Sequence, residues 1–357
     1  MIDSPNDATR RLLLRRGLGL AGAALLGAPA LARAAADAGA PALPQVTFLA
    51  PEAAADALAH GDTYYAGMGL QEIRARVRAE LPGASLADAR VAVRDDDVAA
   101  ILPFSDEART ALRGIVERMQ PLLAQRAPLY ARTPWSFIQL DDRAEGGMPH
   151  TRGPHIVLPK AAVDAWVAMH REMTDAGKLA ETPRGRGLLL HEQTHVLERL
   201  YPERFEPLIT RVFGFTRLPV APITPWLAAH RCTNPDGPDV VWAFNLEHIG
   251  GDGWILPDVV LPDGPLPRMP EDFRAVAIDL ARDADGWRIV EEHGEPKRQR
   301  LDKVPSYDSW FPFPDEDFHP NEIAAVALSH WILKDVPNLA ALPKMADVGA
   351  WAALGLR

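Results

Sequence analysis

The chain has 357 residues and a formal charge of −10, with 47 % apolar and 24 % charged residues. Those fractions belong to a folded globular chain and exclude general disorder. No Lys/Arg-rich run lies beyond the N-terminus, which argues against nucleic acid as a partner. The lone cysteine, Cys232, excludes an intramolecular disulfide and a multi-cysteine zinc site.

Arg10-Arg11 and Arg15-Arg16 precede an apolar run from Gly17 to Ala32, and Ala32-Arg33-Ala34 follows as a small-x-small cleavage pattern. Residues 1–34 read as a secretory signal, too short and too weakly apolar for a stable membrane span. The paired arginines are similar to the twin-arginine export signal. The expected location is therefore periplasmic or secreted, with no membrane span after cleavage. Cleavage after Ala34 removes five Arg and two Asp, taking the formal charge to −13.

Residues 35–50 are rich in Ala and Pro and read as a linker. Residues 51–130 read as a helical region. Pro51-Glu52 opens one helix, and Ser105-Asp106-Glu107 caps another running to about Gln125, interrupted by Pro121. Leu112, Ile115 and Met119 recur at helical spacing, which suits packing.

Residues 131–357 read as the catalytic region, with an irregular insertion over 214–318. Trp135–Leu140 is a strand candidate, followed by a turn at Gly146-Gly147. Thr151–Pro159 is a second strand candidate whose prolines suit a sheet edge. Lys160–Met173, residues 186–200 and Glu203–Phe213 predict helices. Within the insertion, Val240–Leu246, Trp254–Leu261 and a hairpin across Asp283–Gly286 suggest extra strands. Asn321–Leu333 predicts a helix with a proline near its first turn. No internal repeat is present.

The chemistry is concentrated in His191-Glu192-Gln193-Thr194-His195, set between Leu188-Leu189-Leu190 and Val196-Leu197. Residues four apart share a helix face, so His191 and His195 can ligate one metal ion. Glu192 projects beside that face, within reach of a metal-bound water. Zinc lowers the pKa of such a water to about 7, so a carboxylate can take its proton. An amphipathic helix with surface His and Glu is the plainer explanation, but two histidines and a glutamate among leucines are costly in a core unless something satisfies them.

A catalytic zinc takes three protein ligands. A third histidine in the pattern x-x-Gly-x-x-His fails here, because position 198 is Glu and 201 is Tyr. Glu198 would have to bend back to share the ion. Glu322 opens the later helix, and small Ala324 and Ala325 would let that helix approach the first closely. His319 and His330 are rival ligands, and a first-turn glutamate is also favoured by the helix dipole alone.

Together, His191-Glu192-Gln193-Thr194-His195 and Asn321-Glu322-Ile323-Ala324-Ala325 resemble the gluzincins, whose third ligand is a glutamate on a later helix. With Thr151–Pro159 and Thr233-Asn234-Pro235-Asp236, the pattern is similar to a group of exported bacterial zincins. The resemblance covers residues 135–335. It implies an α+β zincin-like fold, Zn²⁺ as cofactor, and Glu322 as third ligand. It also implies that the strand before the motif helix lines a cleft, where an extended peptide or protein substrate adds to the edge.

The expected activity is zinc-dependent peptide hydrolysis with Glu192 as the catalytic base. The alternatives are a catalytically inert zincin-fold binding protein of the envelope and a hydrolase of non-peptide amides. Tyr307, His330, His248 and Arg152 are candidate oxyanion donors, and the sequence singles out none. Thr233–Gly237 reads as a turn that can border the cleft. Asp315, Glu316 and Asp317 read as a solvated acidic loop or a second cation site. Cys232 reads as a buried, inert thiol. Trp242, Trp254, Trp287 and Trp310 read as core anchors or, less simply, an aromatic cleft wall.

Overall fold

A computed structural model describes residues 45–61, 63–79, 83–175, 183–237, 241–264, 266–284, 286–313, 316–334, 338–339 and 342–357. The expected signal over 1–34 and Asp315 lie outside the described residues. The fold mixes helix and sheet in the α+β manner. In chain order its main elements begin with β1 (Val46–Phe48), α1 (Pro51–His60), α2 (Leu70–Val77), α3 (Leu86–Ala99), β2 (Ile101–Leu102) and α4 (Asp106–Arg126). Then come β3 (Trp135–Leu140), β4 (His150–Arg152), β5 (His155–Pro159), α5 (Lys160–Asp175) and α6 (Pro183–Leu200).

The first sheet is built around β3. β1 and β5 flank it in parallel, with Phe48 opposite Phe137 and Phe137 opposite Ile156. β2 pairs with the far end of β3, and β4 forms the outer edge, antiparallel to β5. β3 is buried along nearly its whole length, as suits an interior strand. β1 corrects the expected linker over 35–50: Val46-Thr47-Phe48 pairs with Trp135–Phe137 instead of trailing free.

Two further expectations change. Thr151–Pro159 is a hairpin, because Gly153 takes φ +53° and Pro154 has no N–H to donate, so the chain turns back there. The sheet edge is therefore β4, and β5 is interior. Helix α4 runs through Pro121 without interruption. A proline inside a helix costs about 3 kcal/mol. Leu112, Ile115, Val116, Met119 and Leu123 are all buried on this helix. At about 1.5–3 kcal/mol for each large apolar side chain, that burial outweighs the proline.

The region 214–318, expected to be irregular, carries a second, antiparallel sheet. Its strands are β6 (Phe215–Arg217), β7 (Trp242–Asn245), β8 (Trp254–Val260), β9 (Arg274–Asp283), β10 (Gly286–Ile289) and β11 (Arg298–Arg300). They run β10-β9-β8-β7-β6, with β11 also on β9. Pro257 fits inside β8 because β7 pairs only as far as Trp254 and Ile255, leaving the proline side open. Trp254 and Trp287 meet edge to face at 4.8 Å across this sheet, which makes them packing residues.

The last long helices are α7 (Pro320–Leu333) and α8 (Met345–Gly355). Helix α6 lies on β4 and β5 and packs against α7. Leu189, Leu190, Val196 and Leu197 of α6 join Ile323, Ala324 and Leu328 of α7 in the main core. Among the described residues, no helix is long and apolar enough to cross a membrane.

Glu322, Ala325 and Ser329 share one face of α7 by their spacing. Ala325 is fully buried, and the Ser329 hydroxyl donates to Gly187 O on α6 at 3.3 Å. Ala325→Leu should therefore overpack the interface and cost about 1–3 kcal/mol. Chemical denaturation of the two proteins checks this; an unchanged midpoint would show room between the helices.

Candidate metal centre

His191 and His195 lie one turn apart on α6, their ring centres 4.7 Å apart and their planes near perpendicular. Glu322 enters from the first turn of α7. Its Oε2 lies 3.1 Å from His191 Nε2 and 3.3 Å from His195 Nε2. Local sequence sets that entry. Pro320 begins the helix with a preset φ, and His319 Nδ1 caps it by accepting from Asn321 N–H at 3.4 Å.

These three side chains bring one ligand atom each to within 4.8 Å of one another and could hold a metal ion. His195 Nε2 is buried and makes no hydrogen bond, although Glu322 Oε2 is close. Two ligands at about 2.0–2.1 Å from a tetrahedral ion stand about 3.3 Å apart. The His191–Glu322 pair is within hydrogen-bonding distance, and both glutamate–histidine spacings are also close to that ligand–ligand separation. Two imidazoles and a carboxylate also form a donor set that zinc accepts.

Glu198 does not bend back to serve as a ligand. Its Oε2 accepts from His195 Nδ1 at 3.2 Å, on the side of the ring away from Glu322. That bond places the proton on Nδ1 and leaves Nε2 as the donor atom. Thr194 and Gln193 are also buried: Thr194 Oγ1 bonds Leu190 O and Tyr130 OH, and the Gln193 amide N–H donates to Pro134 O. Glu192 is buried, and its Oε2 has no protein partner.

The electrostatics are those of a buried anion–imidazole cluster. Burial works to lower the pKa of His191, but the Glu322 hydrogen bond outweighs it and the value rises. Burial opposes the charged form of His195 too, yet the Glu322 and Asp236 charges carry it well above 6.5. Burial would raise Glu322, and the two histidines hold it well below 4.5. Burial, with Asp236 adding to it, pushes Glu192 up to about 8, and burial pushes Glu198 up to about 7.

Other expected residues fall elsewhere. His330 stacks on Phe313 at the far end of α7, about 12 Å along the axis from Glu322. Tyr307 donates to Asp317 O at 2.7 Å, and Arg152 donates to Leu58 O while covering the Tyr64 and Tyr65 rings. Both are buried structural groups and not oxyanion donors. His248 is exposed in a short 3-10 turn. No second group of metal-binding type occurs among the described residues, so Glu316 and Asp317 do not form one. Cys232 is buried, which raises its thiol pKa well above 9 and leaves it inert.

The residues that spacing alone did not reveal come from the turn Thr233–Gly237. Asn234 donates to Glu322 Oε1 at 2.8 Å. Asp236 Oδ1 accepts from Thr151 N–H at 2.7 Å and from its hydroxyl at 2.5 Å. Thr151 pairs opposite Ile156, one step from the pair that closes the hairpin, so its N–H points outward from the sheet. The donor that an extended substrate would use on β4 is thus already bonded to Asp236. Turn composition and the resemblance pointed to this segment, but neither gave its partners.

No protein family, curated protein or solved structure matches this chain. What the chain does follows from the chemistry of the site, since fold alone does not set function.

A pH prediction follows from the raised histidines. A ligand histidine must be neutral, so metal uptake displaces protons. The raised histidines stabilise the metal-free protein below pH 6.5, and that contribution is lost as pH rises through their folded values. Glu192 has the same sign, its contribution being lost between about 4.5 and 8. The Tm gain on adding zinc should therefore grow from pH 6 to pH 8. A gain that stays flat across that window would contradict this protonation scheme.

Proposed function

We propose that this chain is an exported, zinc-dependent peptidase with a zincin-like catalytic region. The observation that carries the reading is the convergence of His191, His195 and Glu322 beside a buried Glu192 whose Oε2 has no protein partner. When bound, zinc supplies Lewis acidity, polarising a carbonyl and lowering the pKa of a water to about 7.

The protein residues do the rest. His191, His195 and Glu322 hold the ion, and Glu198 fixes the ring of His195. Glu192 takes the proton of the attacking water and returns it to the leaving amine. With a metal ion held beside it, the buried Glu192 would favour its carboxylate form and could serve as the base at neutral pH. Export by the N-terminal signal is part of the same proposal. It predicts that the envelope form of the protein starts after Ala34, which N-terminal sequencing reads directly.

One observation favours a second reading, an inert zincin-fold protein that binds a partner in the envelope. His191 keeps 15 % of its side chain exposed, whereas His195 keeps none and Glu322 5 %. With Asp236 also on the edge of β4, the site is nearly closed. A peptide enters only if that cover moves.

Two variants separate these readings. His195→Ala should lose the single zinc that the wild type carries, read by metal analysis. Glu192→Gln should keep the zinc and lose about 10²–10⁴-fold in peptide hydrolysis. A wild type that binds zinc but cleaves no peptide in a broad library, and a Glu192→Gln indistinguishable from it, would establish the inert reading.

A further inference from the structure

The turn Thr233–Gly237 is anchored more heavily than a connecting loop requires. Thr233 N–H and its hydroxyl both donate to Glu72 Oε2, at 2.9 and 2.8 Å. Pro235 O accepts from Arg199, which also donates to the Thr151 hydroxyl. Asp236 holds β4, as described above. At Gly237 an added Cβ would lie 2.8 Å from Asn321 Nδ2 and 2.9 Å from His319 Cε1, so only glycine fits without a shift. The turn is therefore clamped to α2, to β4, to the motif helix α6 and to the start of α7.

The product of this clamping is the orientation of one amide. Asn234 Oδ1 accepts from Asp236 N–H at 2.8 Å. Its Nδ2 must then face the other way, where it donates to Glu322 Oε1 at 2.8 Å. Flipping the amide would set two donors together at one end and two oxygens together at the other. With Oε1 occupied, Glu322 has one oxygen left, and it is Oε2 that stands between the histidines.

We propose that Asn234 is a positioning residue, whose amide restricts Glu322 to a single oxygen toward a metal ion shared with His191 and His195. The inference rests on the metal-site reading above and goes beyond it by assigning the control of coordination number. A free carboxylate can bind a cation through both oxygens. In a site of three protein ligands, the second oxygen would fill the position that a catalytic ion keeps for water and substrate. Asn234 keeps that position open.

The test uses the mature chain and two variants, Asn234→Leu, which matches the size of the amide, and Asn234→Ala, which adds no bulk. Zinc affinity is read by competition with a coloured chelator. Coordination is read from the visible absorption of the cobalt(II)-loaded protein, whose intensity falls as a four-coordinate ion becomes five-coordinate. The expected result is zinc affinity weakened by about 10–100-fold in the variants, together with a weaker and altered cobalt spectrum. A residue that only supported the turn would not change the spectrum of the bound ion. Wild-type affinity and spectrum in either folded variant would overturn the role of Asn234 while leaving the metal site intact. A wild type that binds neither zinc nor cobalt would overturn both, and the two failures are distinct in the wild-type measurement alone.

Discussion

Everything at this site depends on burying two histidines and three glutamates between α6 and α7. Isolated ionised groups in such a place are expensive, by several kcal/mol each. Here the cost is offset only by mutual arrangement: Glu322 lies between both imidazoles, Glu198 takes the remaining ring proton of His195, and Asn234 takes the second oxygen of Glu322. Removing one partner leaves an uncompensated charge, so the cluster is tightly interdependent. That is also why a dication fits: it would replace protons that the metal-free cluster must otherwise retain.

The N-terminal helices belong to this arrangement through a chain of buried polar contacts. Glu72 on α2 holds Thr233 and pairs with Arg76, which also pairs with Glu145. Arg152 at the edge strand stacks on Tyr64 and Tyr65, and Tyr65 OH donates to Asp97. Breaking one member of such a buried pair typically costs about 3–5 kcal/mol. The turn that orients Asn234 is thus anchored to residues more than a hundred positions earlier. The same contacts explain why Arg152, chemically suited to an oxyanion, is committed to structure.

Legibility from sequence followed physical range. The motif helix, strand β3 and helix α7 could be read because their signals are local: apolar runs on either side of the His-Glu motif, a run of β-favouring residues, and a proline opening a helix. Thr151–Pro159 reads as one strand in sequence, and the reversal at Gly153-Pro154 shows only in the pairing of His150–Arg152 with His155–Val157. Pro121 was misread because proline cost is local while the burial that outweighs it comes from distant segments. The second sheet was only partly visible, since its pairing is non-local and long proline-rich connections precede β7 and β9.

What sequence alone determined was the chemistry on offer: His191 and His195 on one helical face, Glu192 beside them, and Glu322 in the first turn of a later helix. Fixed helical geometry makes those statements independent of the rest of the chain. Tertiary structure decided which carboxylate meets the histidines, that Glu198 turns to the opposite ring nitrogen, and that Asn234 and Asp236 close over the site and the edge of β4. Those choices arise from packing between segments far apart in the chain, where no periodicity carries the information.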